Sequence, residues 1–294
     1  MTGPTPRLYS GSDDLRAMQG LVQSLWSLES RFHIGDLAWQ RFEHEGREPD
    51  WPTMLWEENG GVIGWGWAHR SDGHLYLMAR PDRPELAGDI IDWFENTVEA
   101  SSLSAAVLDK ETHLSDALIA RGYHAATGGA FDLHTVLDLD RLPEKPALMP
   151  GLVAHSMTLS GDAERRAASH RAAWHPSRVT TQSYRHVMAA WPYRPELDWV
   201  VAIADGRFVA NCCVWFDEVN SVALLEPVGV DPGYRRLGLG RAVCLHSLHK
   251  LRELGCARAV TYPRGDAAYP TPKKLYLGMG FEPYARTKLF VKRR

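Results

Sequence analysis

The sequence predicts a mixed α/β (α+β) protein of two consecutive lobes, each with a mixed central sheet flanked by helices. Three observations support this prediction. The chain has 294 residues, which suits two domains better than one. A proline-rich segment divides it near the middle, and the two flanking halves repeat the same order of strand and helix signals.

The dividing segment covers residues 143–151, Pro143-Glu144-Lys145-Pro146-Ala147-Leu148-Met149-Pro150-Gly151. Three prolines and a glycine in so short a stretch cannot continue a helix or a central strand. We therefore predict an N-terminal lobe at residues 1–142, a linker at 143–151 and a C-terminal lobe at 152–294.

The two halves show matching elements in order. Each begins with a short strand, at 7–10 and 152–157, followed by two helical runs, at 13–28 and 36–44 and at 161–174 and 181–191. Hairpin turns at Asn59-Gly60-Gly61 and Asp205-Gly206 come next. Each half then has a strand, a long helix at 84–100 or 239–254, a strand at 105–108 or 258–262, and a last helix before Gly122 or Gly280.

Composition excludes several classes of function. The net charge of −3 argues against a partner bound through nucleic-acid phosphates. We expect no membrane association, because the start of the chain lacks the apolar region of a signal peptide and no apolar stretch of about 18 residues occurs. The 13 histidines show no metal-binding spacing, so no metal is expected. The cysteines form no C-x-x-C pair, which favours reduced core thiols in the cytoplasm: Cys212, Cys213, Cys244 and Cys256.

The most informative segment is residues 235–240, Arg235-Arg236-Leu237-Gly238-Leu239-Gly240, between an apolar strand and a long helix. The first turn of a helix has free backbone amides and the positive end of the helix dipole. Glycines let a ligand approach those amides, and Arg235, Arg236 and Arg241 add positive charge. The segment therefore predicts a cradle for a phosphate or pyrophosphate. It is neither a P-loop nor a G-x-G-x-x-G loop.

The pattern R-x-x-G-x-G, followed later by Leu275-Tyr276-Leu277-Gly278-Met279-Gly280-Phe281, resembles the GNAT superfamily of N-acetyltransferases. The resemblance covers residues 151–294 well and the first half faintly. The tandem arrangement is also similar to that of the mycothiol synthases, from which only the architecture is carried over. One departure is Pro270 and Pro272 before the last helix, which leave the adenine-side contacts of that segment open.

The resemblance implies acetyl-CoA as co-substrate. Its pantetheine arm would lie on the strand edge at Val228, Gly229 and Val230, beside a break caused by Pro227. The pyrophosphate would lie on the loop. The implied coenzyme residues are Val228, Gly229, Val230, Arg235, Arg236, Leu237, Gly238, Leu239, Gly240, Arg241 and Lys274.

The resemblance also implies the chemistry. Tyr276 matches the tyrosine that protonates the departing thiolate, and a phenol pKa near 10 suits this role. Tyr284 is the alternative donor. Glu226 is the candidate base, because a carboxylate inside an apolar strand is costly unless it is paired or functional. His175 is the rival base.

The segments that border the acceptor site in relatives are rich in aromatic residues. We expect a ring-bearing or apolar acceptor, with Asp198 as a possible partner for its ammonium group. The candidate acceptor contacts are Trp174, His175, Tyr193, Asp198 and Trp215.

The N-terminal half lacks these features. Opposite the glycine loop is Arg83-Pro84-Glu85-Leu86-Ala87-Gly88-Asp89, and opposite Tyr276 is Leu118, which cannot exchange a proton. Carboxylates here, including Asp92, would repel a pyrophosphate. We therefore expect a degenerate lobe that is structural or shapes the acceptor site, with a second active site as the alternative.

The sequence thus predicts acetyl transfer to a primary amine of a small molecule. Aminoglycosides, amino-sugar thiol precursors and natural-product amines all fit this class. The alternatives are a protein or peptide N-acetyltransferase and a non-catalytic acyl-CoA-binding module. Any oligomeric state is compatible with these features.

Overall fold

A computed structural model describes residues 3–294. The N-terminal lobe begins with strand β1 and two helices, continues as a three-stranded meander, and then alternates helix and strand. Its strands are β1 (Thr5–Leu8), β2 (Thr53–Glu58), β3 (Gly61–His69), β4 (His74–Ala79), β5 (Ser102–Leu108), β6 (His124–Ala125) and β7 (Leu133–Asp138). Its helices are α1 (Ser12–Leu25), α2 (Ile34–Phe42), α3 (Pro84–Thr97) and α4 (Thr112–Ala120).

The C-terminal lobe repeats this order after the linker. Its strands are β8 (Val153–Ser156), β9 (Asp198–Ala202), β10 (Phe208–Asp217), β11 (Val222–Val230), β12 (Arg258–Thr261) and β13 (Glu282–Arg293). Its helices are α5 (Met157–Ser160), α6 (Ala163–Ala173), α7 (Thr181–Ala189), α8 (Leu239–Glu253) and α9 (Thr271–Leu277). The predicted order of elements is confirmed, although most boundaries move by a few residues.

The strands of both lobes join in one continuous sheet with the order β1-β2-β3-β4-β5-β13-β7-β12-β11-β10-β9-β8, and β6 pairs with β13. Most neighbours are antiparallel. The parallel pairs are β4 with β5 and β11 with β12, one in each lobe. The predicted mixed sheet in each lobe is therefore confirmed.

The lobes exchange their last strands, a feature that the sequence analysis did not contain. Strand β7 follows the N-terminal lobe in sequence but pairs with β12 of the C-terminal lobe. Strand β13 pairs with β7 through Glu282–Arg286 and then with β5 of the N-terminal lobe through Thr287–Arg293. The end of the chain is thus built into the N-terminal sheet, so the lobes are joined by backbone hydrogen bonds. The linker at 143–151 remains a prediction of the boundary along the chain.

Helix α2 of the N-terminal lobe packs into the C-terminal lobe. Its Trp39 and Ala38 belong to a buried cluster with Tyr184 of α7 and Trp215 of β10. A Cβ atom at Gly35 would lie 2.2 Å from Cγ of Trp215, so the helix approaches the strand closely only because this residue is glycine. Burial of these large side chains stabilises the contact between the lobes.

The other large core clusters follow the sheet, so Leu137 of β7 packs in the C-terminal cluster and Phe290 of β13 packs in an N-terminal one. A third cluster lies within the N-terminal lobe. The four cysteines are free and buried, as expected for core thiols. Among residues 3–294, none of the helices combines the length and the apolar character needed to cross a bilayer.

Candidate active site

The site begins where two parallel strands of the C-terminal lobe separate. Strands β11 and β12 pair only as far as Leu224 and Val260 among the described residues, so the later backbone of β11 is open on this side. On its other side β11 pairs with β10, and the register shifts opposite Glu226 and Pro227. Pro227 has no N–H to donate, so the predicted break in the ladder is confirmed.

Helix α8 starts beside this opening with free backbone amides. Gly238 caps the helix with φ of +76°, a left-handed conformation that suits glycine. The first amide bonded across the cap is that of Ala242, which donates to the Gly238 carbonyl at 2.9 Å. Within residues 3–294 the amides of Leu239, Gly240 and Arg241 donate no backbone hydrogen bond. They form the donor set that the sequence predicted for an anion.

The arginines around this helix start have different local partners. Arg235 donates to the carbonyls of Val230 at 3.3 Å and Ala173 at 3.2 Å, and Arg241 donates to the Gly278 carbonyl at 2.6 Å. Arg236 donates no side-chain hydrogen bond among residues 3–294, and none of the three forms a salt bridge within that range. Their charge is not neutralised by the protein's own carboxylates, which favours an anionic ligand.

These residues line a cleft of about 870 Å³ that runs along β11 to the start of α8. It contains the predicted strand edge, most of the loop and Lys274. Leu237 is the exception, because it is 45% exposed and lines a separate depression near the linker. The predicted coenzyme residues that line the cleft are Val228, Gly229, Val230, Arg235, Arg236, Gly238, Leu239, Gly240, Arg241 and Lys274.

A coenzyme A molecule fits the chemistry of this cleft. Its pyrophosphate would meet free amides and arginines, and its pantetheine arm would meet an open strand edge. Gly240 contributes to the narrow fit, since a Cβ there would lie 3.3 Å from Cγ2 of Val230. At Gly229 a Cβ would lie 2.3 Å from the Trp174 ring, so Trp174 lies directly over the strand.

A second cavity, of about 780 Å³, lies between the lobes. The C-terminal lobe contributes Glu226, His170, Trp174, Tyr262 and Arg178 among others. The N-terminal lobe contributes one wall, whose members are Trp39, Gln40, Glu43, His44, Arg47, Trp51, His69, Asp72 and Tyr76. The cavity is therefore largely aromatic, with carboxylates and cations among the rings.

The coenzyme cleft and this inter-lobe cavity share one wall. Five residues line both of them: Trp174, Val228, Tyr269, Pro272 and Tyr276. Tyr276 is 6% exposed, and its ring packs edge-on against Phe281. Burial raises its pKa well above the usual value, so the phenol stays protonated at neutral pH. A protonated hydroxyl at the junction of two cavities is placed to donate a proton to a group that reacts there.

Glu226 lies on the inter-lobe cavity and is partly buried. Its pKa is raised well above the usual value, first by burial and then by the neighbouring carboxyl group of Asp36. Asp36 belongs to α2 of the other lobe, and each of the two carboxyl groups shifts the pKa of the other. Burial raises the pKa of Asp36 to about 7.

The prediction for Asp198 is corrected by its burial. Its carboxylate is fully buried and bonded to Arg166 at 2.8 Å, with both side chains at 0% exposure. The hydroxyl groups of Tyr184 and Tyr193 also donate to it. Asp198 therefore neutralises a core arginine and does not reach either cavity.

Three further predicted acceptor contacts are corrected for related reasons. Trp215 is fully buried at the contact with α2, and its Nε1 donates to the Glu226 carbonyl at 2.6 Å. Tyr193 packs on Trp215 and bonds to Asp198, away from both cavities. His175 is exposed and does not line the cavity, although Pro176, Ser177 and Arg178 do. Of the predicted acceptor contacts, the structure brings Trp174 to the site.

Sequence reasoning missed the contribution of the N-terminal lobe. On α2 and just after it, Asp36, Trp39, Gln40 and Glu43 recur at the spacing of one helix face, and this face meets the C-terminal lobe. This spacing was the signal in the sequence that could have indicated the contribution of the N-terminal lobe. Glu43 accepts a hydrogen bond from Trp39, and burial raises its pKa to about 7.

His170 of α6 was also missed. It lines the inter-lobe cavity, and its ring stacks on Trp174 with centroids 4.3 Å apart. Burial lowers the pKa of His170 to about 3, so its imidazole is neutral at pH values near 7.

The corresponding corner of the N-terminal lobe has a smaller depression, of about 640 Å³, whose cations are held in ion pairs. Strands β4 and β5 pair only at His74–Leu75 with Ser104–Ala105 and then separate. Helix α3 begins at Pro84, and the preceding Arg83 is bonded to Glu58 at 2.5 Å and Glu85 at 2.7 Å. Arg121 lies against Gly88 and holds Asp92 with two bonds of 2.6 and 2.8 Å. This corner has no free cation for a pyrophosphate among these residues.

Among residues 3–294 no group of three or more His, Cys, Asp and Glu side chains is arranged to hold a metal ion.

Residues 165–281 match the model of the acetyltransferase (GNAT) family. This chain carries a GNAT acetyltransferase domain. The matched range contains the glycine loop, Glu226, and Tyr276, which lines both cavities. The predicted family is therefore confirmed. No curated protein matches the chain.

Solved structures show that the similarity of fold extends over both lobes. A tandem GNAT protein from the clavulanic acid biosynthesis pathway has a TM-score of 0.66 at 18% identity, covering 99% of this chain and 98% of its own. A GCN5-related N-acetyltransferase from Sphaerobacter thermophilus has a TM-score of 0.64 at 16% identity, with 99% and 95% covered. A GNAT-family acetyltransferase from Colwellia psychrerythraea has a TM-score of 0.63 at 14% identity, with 98% and 100% covered. The tandem GNAT fold is therefore confirmed.

Proposed function

We propose that this protein transfers an acetyl group from acetyl-CoA to a primary amine of a small molecule. The observation that carries the proposal is the meeting of two cavities at Tyr276. One cavity has the free amides and arginines that suit a pyrophosphate, and the other is an aromatic chamber between the lobes. A donor and an acceptor could therefore approach the same hydroxyl group from opposite sides.

Bound acetyl-CoA would supply a thioester carbonyl, at which the amine nitrogen forms a C–N bond while the C–S bond breaks. The protein has three tasks in this reaction. It holds the donor, takes a proton from the ammonium form of the amine, and gives a proton to the departing sulfur. The attacking nitrogen loses a second proton as the amide forms, and this proton passes to the solvent or restores the general acid.

The coenzyme-binding residues are those of the cleft along β11 and α8. The free amides of Leu239, Gly240 and Arg241 and the cation of Arg236 would bind the pyrophosphate. Arg235 braces the loop, since it donates to Val230 and Ala173. Lys274 lines the same cleft and adds positive charge near the coenzyme.

Tyr276 is the proposed general acid. Its raised pKa keeps the phenol protonated, and its position on both cavities supports a location beside the reacting bond. The hydroxyl group would donate a hydrogen bond to the sulfur as the C–S bond breaks and then pass its proton to it, after which the tyrosinate is reprotonated from the solvent or the acceptor site.

Glu226 is the proposed group that removes the proton from the amine. It lines the acceptor cavity together with the shared wall that contains Tyr276. Burial makes its neutral form more stable, which strengthens the carboxylate as a base once it is ionised.

The position of the N-terminal lobe supports a small molecule over a peptide. Trp39, Trp51 and Tyr76 of this lobe line the acceptor cavity together with Trp174 and Tyr262. A second lobe at this site would crowd the groove that an extended peptide needs. The aromatic lining suits an acceptor with a ring or an apolar section, and its ammonium group would be attracted to the rings.

The test combines binding with turnover. Titration calorimetry with acetyl-CoA should show binding, and a panel of primary amines should then release free thiol, which is measured with a thiol-reactive dye. Mass spectrometry of the product should show one added acetyl group on the amine. Binding without thiol release from any amine, peptide N-terminus or lysine would favour the non-catalytic alternative, and acetylation of peptides alone would favour the peptide alternative.

A further inference from the structure

The N-terminal lobe reaches the proposed reaction centre through one side chain, Asp36 on α2. Asp36 is 5% exposed and does not line the acceptor cavity itself. The adjacent Gly35 lies against Trp215, and Nε1 of Trp215 donates to the Glu226 carbonyl at 2.6 Å, so Asp36 lies next to Glu226. Each of the two carboxyl groups shifts the pKa of the other. The two side chains come from different lobes and meet because α2 packs against β11 and β10.

The position of Asp36 is fixed from the helix side. Its Oδ2 accepts the backbone N–H of His33 at 2.6 Å, and the imidazole of His33 accepts the N–H of Gly35, so the two form a capping box. One carboxylate oxygen is thus committed to the helix start, and the group can turn little. The remaining oxygen is free to interact with Glu226.

Two ionised carboxylates cannot form a hydrogen bond, because neither has a donor. Their close approach in a buried place requires that one of them carry a proton. We propose that Asp36 is a positioning residue for Glu226. It shares a proton with that carboxyl group and fixes it toward the acceptor, so the proton acceptor of the amine is a carboxyl pair built from both lobes. This inference rests on the proposed function.

The surroundings of the pair favour a state with one proton. Other carboxylates and phenols near the pair disfavour a second negative charge, and one cation reduces that effect. The titratable and charged side chains that face the pair are Arg31, Glu43, Asp132, Tyr262, Tyr276 and Tyr284.

The proton transfer balances within this arrangement. An N–H bond of the bound ammonium breaks, and its proton adds to the singly protonated pair, which changes from one negative charge to neutral. The amine is left neutral with a free electron pair. After the product leaves, the pair returns one proton to water and is ready for the next cycle.

The sign of the pH dependence follows from the raised pKa values. The pair can accept a proton only after it has lost its own first proton, and burial raises the pKa of Asp36 to about 7. Activity should therefore fall as the pH decreases through the neutral range, where an isolated carboxylate would remain ionised to about pH 4.

The decisive experiment is the pH profile of kcat/KM for the wild type and Asp36→Asn, with the same amine in both. Asparagine keeps an oxygen for the His33 cap and offers an N–H to ionised Glu226. Asp36 raises the pKa of Glu226 in the wild type, so without it Glu226 should ionise more easily, and the acidic limb should move to lower pH by about one unit or more. The plateau should fall about three- to tenfold, since a weaker base remains.

Glu111→Gln is the matched control. Glu111 is 8% exposed, belongs to the same lobe and accepts the backbone amides of Leu108 and Arg31. This change should lower the melting temperature without moving the acidic limb. Glu226→Gln should remove most of the activity, which would show that the acidic limb reports the ionisation of the Asp36–Glu226 pair.

A second readout does not depend on activity. Difference infrared spectra across the acidic limb of the wild type should show a protonated-carboxyl band. This band should move to another pH range in both Asp36→Asn and Glu226→Gln, since each variant leaves one lone carboxyl group, and it should be absent from the double variant. Two independent bands, or an acidic limb that stays in place in Asp36→Asn, would overturn the pairing. If the wild type acetylates no amine, the proposed function fails, while the infrared result still decides the pairing.

Discussion

The two lobes place a helix start at the same corner of the fold, where two parallel strands separate. In the C-terminal lobe the arginines around α8 have no carboxylate partners among the described residues, and the cleft beside them is about 870 Å³. In the N-terminal lobe Arg83 is bound by Glu58 and Glu85, and Arg121 is bound by Asp92. The two lobes share a fold, but within residues 3–294 the arginines of the N-terminal corner are neutralised by the protein's own carboxylates and those of the C-terminal corner are not.

This difference explains how one lobe loses a ligand without losing its structure. Ion pairs at the surface contribute little stability, so the acidic side chains of the N-terminal lobe serve mainly to neutralise its cations. The lobe keeps its sheet and core, and its α2 lines the inter-lobe cavity. We propose that this lobe shapes the acceptor site and does not bind the coenzyme.

The largest effect should come from the residue that differs most between the two last helices. Tyr276→Phe removes the hydroxyl group. Neither lobe then has a proton donor at this position, because the N-terminal lobe already has Leu118 there. We expect kcat to fall about 100-fold or more with unchanged binding of acetyl-CoA. Steady-state kinetics and calorimetry on the same preparation measure both.

Tyr123→Phe is the control for this change. Tyr123 is buried in the N-terminal lobe, and its loss should leave kcat unchanged. If Tyr276→Phe turns over like the wild type, the acid is another group, and Tyr284 becomes the next candidate.

The second test reverses a charge in the open corner. Arg236→Glu places a carboxylate beside the free amides of α8, as the N-terminal lobe does beside α3. The dissociation constant of acetyl-CoA should rise about 10- to 100-fold, because a charge-assisted contact is lost and a repulsion is added. Calorimetry at two salt concentrations should show that the difference shrinks at high salt.

The matched variant in the corner of the N-terminal lobe is Arg83→Glu, which breaks two surface ion pairs. It should change the melting temperature slightly and the affinity for acetyl-CoA not at all. Equal loss of affinity in the two variants would mean that the N-terminal corner also binds the coenzyme.

These predictions depend on how much of the site was visible in the sequence. The strand, glycine loop and helix were predictable because their meaning is local: Gly238 and Gly240 lie next to the amides that they expose. Tyr276 was predictable from a short motif. The cleft, the loop and the shared tyrosine therefore lie where the sequence placed them.

Other features depend on which distant segments meet. Asp36 and Glu226 are far apart in the chain, and nothing local to either residue indicates the other. The exchange of β7 and β13 was equally hidden, because equivalent strands of two similar lobes carry patterns that fit either sheet. The sequence indicates that Asp198 begins a strand, but only the fold shows that Arg166 is its buried partner.

A smaller effect is expected from the backbone of the loop. Gly238→Ala meets no atom within 4 Å, so its cost comes from φ of +76°. We expect a loss of about 1 kcal/mol in the free energy of unfolding and a few-fold weaker binding of acetyl-CoA. Gly20→Ala, in α1 and also without a contact within 4 Å, should instead stabilise the protein by up to about 1 kcal/mol. Thermal unfolding measures both, and a neutral Gly238→Ala would show that the loop adopts another conformation.

The most direct test of the difference between the lobes is the stoichiometry of acetyl-CoA binding, measured by titration calorimetry on the full chain. The account predicts one site per chain, weakened about 10- to 100-fold by Arg236→Glu and unaffected by Arg83→Glu. Two sites per chain, or one site that Arg83→Glu removes, would contradict it, because the ion-paired corner of the N-terminal lobe would then bind the coenzyme.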